Sequence, residues 1–175
     1  MVNWKEMLRG SFEYEYAVAE KLMDMVSDDE LNWKPATGTN WMTVGQVLHH
    51  MTNACGFCVK GFCTGDWGMP ADFDPSKASE EDMLPPAEKM PTVTSVAEAK
   101  KLLAEDKKLA FEMLDANPEE RFATEIAKAP WDQMECKLGE RCMQMSNHLM
   151  QHKGQLFYYL KLMGKPVNTM HLWGA

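Results

Sequence analysis

Apolar positions recur at three- and four-residue intervals in four stretches of the chain, and each stretch predicts an amphipathic helix. The first runs from about Trp4 to Val26, with Leu8, Phe12, Ala19, Leu22, Met23 and Val26 as its stripe and Asn3 and Glu6 at capping-box spacing. Ser27 and Glu30 repeat that spacing for a short turn, which Pro35 ends. The second helix starts at Thr43, with Gln46 to complete its cap. Val44, Val47, Leu48, Met51, Ala54 and Cys58 carry its stripe to a stop near Gly61 to Gly65. Ser95 and Glu98 open a third helix that Asn117 and Pro118 close. The fourth extends from about Gly139 to Met163, before the stop signal of Gly164 and Pro166.

The connections are less regular. From Thr64 to Thr94 the pattern is lost, and prolines 70, 75, 85, 86 and 91 exclude regular structure over most of the stretch. Helices joined as antiparallel neighbours need only about 2–8 linking residues. A connection this long can cross the length of a bundle and let helices two and three run parallel; it reads equally as a pocket lid or as a plain surface loop. Residues 119–138 are irregular apart from a short hairpin expected around Ala129, Pro130 and Trp131. In the tail, Leu172 and Trp173 are expected to pack back onto the bundle. The reading is an all-α bundle, one domain over residues 1–175, with one candidate strand region.

Composition narrows the function. Lys plus Arg number 18 against 26 Asp plus Glu, a net charge of -8. No basic cluster exists to neutralise phosphates, which argues against a nucleic-acid partner. No apolar run reaches the roughly 18 residues of a bilayer span. The charged start, Met1 to Leu8, lacks the apolar core of a signal peptide, so a cytoplasmic protein with no membrane partner is expected. The five cysteines are then thiols rather than a disulfide framework. Cys55 and Cys58 form a CxxC expected in mid-helix, away from the helix N-terminus that lowers thiol pKa values; Cys63 lies nearby. The sixteen methionines read as flexible core filling.

The histidines carry the candidate chemistry. His148 and His152 lie four apart in the fourth helix, so they project from one side about 6 Å apart along its axis. They fall on the edge of the stripe formed by Met145, Leu149, Leu156, Leu160 and Met163. Such a pair suits a shared metal ion or two core imidazoles with hydrogen-bond partners. His50 is the natural third ligand: it occupies the inner face of helix two, between Val47 and Ala54, with His49 about 100° away. In antiparallel helices two and four, His50 would lie about 10 Å below one end and His152 about 16 Å below the other, within reach of a common ion.

Two segments resemble the DinB-like proteins. Trp33-Lys34-Pro35, followed by Trp41-Met42-Thr43-Val44-Gly45-Gln46-Val47-Leu48-His49-His50-Met51, is similar to the start of that family. Asn147-His148-Leu149-Met150-Gln151-His152-Lys153-Gly154-Gln155, with Tyr159-Leu160-Lys161-Leu162-Met163-Gly164, is similar to its fourth helix. Residues 64–138 match nothing specific, and Lys153 stands where Arg is more usual. The resemblance implies a four-helix bundle in up-down-down-up order. It also implies one divalent transition metal, commonly zinc, nickel or iron, on His50, His148 and His152, with water completing the shell; a one-residue change of helix phase would exchange His50 for His49.

Three protein ligands leave an open position, the mark of a catalytic site. Several DinB-like proteins activate a low-molecular-weight thiol there, which implies a thiol-dependent S-transferase or related detoxification enzyme, with a hydrolase as a neighbouring reading and a small molecule as substrate. The alternative is a non-catalytic, stress-related interaction protein with a structural metal. Gln155 could hold a ligand imidazole or make a helix-end hydrogen bond; Asn53 could support the site or be a buried amide. Tyr159 and Trp131 could line a pocket or fill the core. Exposed apolar bundle faces are compatible with a homodimer.

Overall fold

The computed structural model describes residues 3–69, 85–132 and 134–175, and the chain is predominantly helical. Helix α1 spans Trp4–Met23, α2 Val44–Met51, α3 Gly56–Thr64, α4 Val96–Ala116, α5 Glu119–Thr124, α6 Leu138–Leu162 and α7 Thr169–Trp173. Strands β1 (Ile126–Ala127) and β2 (Cys136–Lys137) pair antiparallel and bring in the hairpin expected around Trp131. Local sequence sets most helix starts. The Asn3 and Ser95 side chains accept the Glu6 and Glu98 backbone N–H groups, while Thr43 and Gln46 cap each other reciprocally. The middle of the long connection, residues 70–84, lies outside the described residues, and the lid reading falls there.

Cross-helix pairs fix how the long helices run. Lys107 to Glu13 and Lys100 to Asp24 hold α1 antiparallel to α4. The Ser11–Ser146 hydrogen bond (2.7 Å) and the Glu15–Lys153 ion pair (2.7 Å) place α1 parallel to α6. Between these helices, and closed by α2 and α3, sits the core of Leu8, Phe12, Leu22, Leu48, Leu114 and Leu149, each at most 1% exposed. No helix of the described residues is long and apolar enough to cross a membrane.

The structure departs from the sequence reading in three places. First, the second helix is broken: α2 ends at Met51, Thr52 to Cys55 turn, and α3 begins at Gly56. The cause lies on another element. The buried Asp106 carboxylate of α4 accepts the N–H groups of Gly56 (2.8 Å) and Phe57 (2.7 Å) and the Tyr16 hydroxyl (2.6 Å). It caps a helix start that would otherwise leave buried donors unpaired. A Cβ at Gly56 would lie 1.9 Å from the Asp106 carbonyl oxygen, so only glycine allows this approach. Second, Cys55 is therefore the N-cap of α3 rather than a mid-helix residue. The helix start gives it no reactive thiol, because burial and the adjacent Asp106 carboxylate push it well above the usual range. Third, residues 119–124 form a short helix, and Trp173 is 62% exposed while Leu172 packs on the core.

The hairpin is clamped to α6 by Arg141. Its guanidinium, 1% exposed, grips Asp132 with two hydrogen bonds (2.7 and 2.9 Å) and donates to the carbonyls of Ala127 and Met134. That pairing holds the Asp132 carboxyl below its usual value. A depressed carboxyl contributes stability above the unfolded pKa of about 3.9, and this contribution is lost as pH falls through the folded value. Asp132→Asn is expected to cost about 2 kcal/mol at pH 7, discounted because the carboxylate is partly open. Thermal unfolding of both proteins checks this: the gap should narrow steadily between pH 5 and pH 3. A gap that is constant with pH would exclude the clamp as its source.

Candidate metal centre

The α2 segment that carries His50 and the middle of α6 face each other, and His50, His148 and His152 converge between them. One ring nitrogen from each lies within 4.8 Å of those of the other two. The rings meet edge to face, with centroids 4.3 Å apart for His50–His152, 4.8 Å for His148–His152 and 5.1 Å for His50–His148. His49 is not in this group; it sits within electrostatic reach of Glu98 at the start of α4.

Two of the rings are oriented from behind. His148 Nδ1 lies 3.1 Å from the Ala54 carbonyl, which the break between α2 and α3 leaves available. A carbonyl only accepts, so Nδ1 bears the proton and Nε2 presents its lone pair. His152 Nδ1 lies 3.0 Å from Gln155 Oε1, and Gln155 Nε2 donates in turn to the Tyr159 hydroxyl (3.2 Å), which donates to the Met42 carbonyl (3.0 Å). The rings of Trp33 and Trp41 flank Tyr159 at 5.4 and 6.2 Å. The aromatic residues of the first motif thus hold the hydroxyl that orients Gln155, one turn from His152. Tyr159 positions this relay and is not among the residues lining the cavity described below; Asn53 does line it, and its side-chain amide makes no hydrogen bond to a histidine among the described residues.

The donor set suits a divalent transition metal. Burial, then the neighbouring imidazoles, pulls His50 down to about 3. Burial likewise lowers His148 and His152, so all three are neutral, the form that ligates metals. His50 Nε2 and His148 Nε2 stand 3.2 Å apart. Two nitrogens each about 2.1 Å from one ion, at an ordinary coordination angle, are separated by about that distance. Without a shared cation or proton, two lone pairs held so close would repel.

A cavity of about 690 Å³ opens against His50 and His148, and His152 lies behind them. Phe57, Trp67, Met69, Pro130, Trp131 and Met145 form most of its wall. Trp67 and Trp131 come from opposite sides and meet edge to face at 5.3 Å, both resting on Phe62. Cys58 also borders the cavity, but burial and the Asp106 carboxylate push its thiol up to about 12, which leaves it protonated. Sequence spacing brought out the histidines. It also offered Trp131 as a pocket residue, which the cavity bears out. It missed the Ala54 carbonyl, which depends on the helix break, and the rest of the cavity wall, which draws on three separate segments.

Comparison with known proteins places this arrangement. A crystal structure of a DinB-like protein from Bacillus cereus ATCC 10987 is 19% identical, with 93% of this chain and 95% of that chain covered at a TM-score of 0.66. The DinB-like protein YjoA of Bacillus subtilis is 16% identical, covering 94% and 97% at a TM-score of 0.65. At such identities the likeness establishes the fold. Comparison with curated protein sequences gave no match. The profile of the DinB superfamily matches residues 11–156, a stretch that takes in all three converging histidines, the first motif and the second as far as Gln155, and the chain belongs to that superfamily.

Proposed function

We propose that this chain is a metal-dependent enzyme that transfers a low-molecular-weight thiol to an electrophile, using one zinc, nickel or iron ion on His50, His148 and His152. The observation that carries the reading is the convergence of three neutral imidazoles, two of which line an apolar cavity. The helix directions support the accompanying topology, a four-helix bundle in up-down-down-up order with α2 and α3 together forming its second member.

A bound divalent ion lowers the pKa of a coordinated thiol toward neutrality. The protein's own groups prepare for that. Ala54 and Gln155 keep the Nδ1 protons of His148 and His152 pointed away from the centre, and the apolar wall excludes water from the reacting atoms. In the transfer the thiol proton passes to solvent, a carbon–sulfur bond forms, and the leaving group departs with its bonding pair. A structural metal would call for a closed shell, and a cavity against two of the three rings favours the catalytic reading.

The test is turnover of 1-chloro-2,4-dinitrobenzene with a panel of small thiols by metal-loaded protein. His152→Ala is expected to lower the rate by more than about 100-fold, beyond the loss typical of an outer partner. A rate unchanged by that substitution would sink the proposal.

A further inference from the structure

The cavity also constrains what it can take. Among the described residues that line it there is no lysine, arginine, aspartate or glutamate. Its polar groups are the neutral amides of Asn53, Gln144 and Gln151 beside the two imidazoles. Gln144 is already engaged, accepting from Arg141 (3.1 Å). The nearest buried cation, Arg141, is spent on Asp132 behind the aromatic wall, its guanidinium 5.6 Å from the Phe62 ring centroid.

The rim is the opposite of an ordinary surface. Phe57, Met69 and Trp131 are 38%, 46% and 44% exposed, and all three border the same opening from different segments. Single exposed apolar side chains need no explanation, whereas a cluster around a cavity marks a place where apolar surface is covered on binding. We infer that the cavity binds an uncharged, apolar molecule of aromatic-ring size against Trp67, Trp131 and Met145, and rejects a multiply charged one. A charge brought into it would lose hydration with no opposite charge to replace it among the described lining residues. On the proposed function, from which this inference takes only the direction of the reacting group, that molecule is the electrophilic acceptor. The charged parts of a thiol cosubstrate then stay outside this wall.

The experiment is calorimetric titration of the purified protein at pH 7 with 2-naphthol and with naphthalene-2,6-disulfonate, a dianion of the same ring system that ligates metals poorly. The inference expects saturable binding of 2-naphthol and at least about tenfold weaker binding of the disulfonate. Trp131→Ala should weaken 2-naphthol several-fold and Trp131→Phe should restore most of it. Gln151→Lys, at an exposed lining position, should narrow the difference between the two ligands. No saturable 2-naphthol binding, equal or tighter disulfonate binding, or indifference to Trp131→Ala would overturn it. Metal content of the same preparations separates the two readings. Selective naphthol binding without metal uptake would sink the metal enzyme and keep the pocket, and metal uptake without selectivity would do the reverse.

Discussion

Purified without a histidine tag, the chain is expected to hold close to one equivalent of divalent transition metal, and both His50→Ala and His152→Ala to hold none. The expectation follows from geometry. Each ring supplies one of the three donors that converge among the described residues, and the close approach of His50 Nε2 to His148 Nε2 (3.2 Å) makes sense around a shared cation. With two donors left, neither a tetrahedral nor an octahedral ion is adequately held. Gln155→Leu should behave differently. It removes the acceptor for His152 Nδ1 without removing a ligand, so affinity should fall about 10–100-fold while stoichiometry recovers at saturating metal. At a free metal concentration about 100 times Kd, binding adds about 2.7 kcal/mol to stability. For a chain of this length that is a rise in Tm of about 5–10 °C, absent in the alanine variants. Elemental analysis together with thermal unfolding checks both. Metal retained after His50→Ala and His152→Ala, or no metal in the wild type after reconstitution, would remove the centre from the account.

Why the three histidines could be read from sequence, and their surroundings could not, comes down to range. The pair His148 and His152 is a local fact of helical period, and His50 follows from the apolar phase of α2. The caps at Asn3, Thr43 and Ser95 are equally local. The break between α2 and α3 is not. Residues 43–61 have an unbroken helical pattern, and the carboxylate that divides them belongs to Asp106, on α4. A signal was there: Asp106 falls within the buried face of α4, between Leu103 and Ala110, where a charge must be answering something. The same break places Cys55 at a helix start and frees the Ala54 carbonyl for His148, so one unrecognised carboxylate accounts for two separate misreadings. Of the cavity wall, sequence reasoning offered Trp131 alone, and Phe57, Trp67 and Met69 had no comparable signal. Trp67 and Trp131 lie in segments without periodicity, and the hairpin is held within reach by Arg141, from another element.

Glu15 and Lys153 are charges of the same kind, set in the apolar seam between α1 and α6, and they yield the largest expected effect on stability. They are 6% and 3% exposed, with Lys153 Nζ 2.7 Å from Glu15 Oε2 and 5.0 Å from the centre of the Tyr14 ring. Lys153→Met strands the carboxylate without its cation, a loss expected at about 3–5 kcal/mol, or about 10 °C in Tm. The paired variant Glu15→Leu with Lys153→Met should regain most of that, because an apolar pair of similar volume avoids the desolvation of two ions. Lys153→Arg keeps the charge and should stay close to wild type in stability. The converging histidines offer a reason to keep an ion pair that an apolar pair could replace. Lys153 follows His152 directly, so the contact with Glu15 is expected to fix the rotation of α6 that turns His148 and His152 toward His50. Apolar side chains tolerate small rotations and slides, whereas a buried ion pair does not. The double variant should therefore be as stable as wild type or nearly so, yet bind zinc more weakly. Thermal unfolding of these proteins together with the Glu15→Leu single variant gives the coupling energy, and zinc titration of the double variant gives the cost at the site. Full stability with undiminished zinc affinity would mean that the ion pair does not orient the histidines. Failure of the second substitution to rescue the first would mean that the seam depends on the charges themselves.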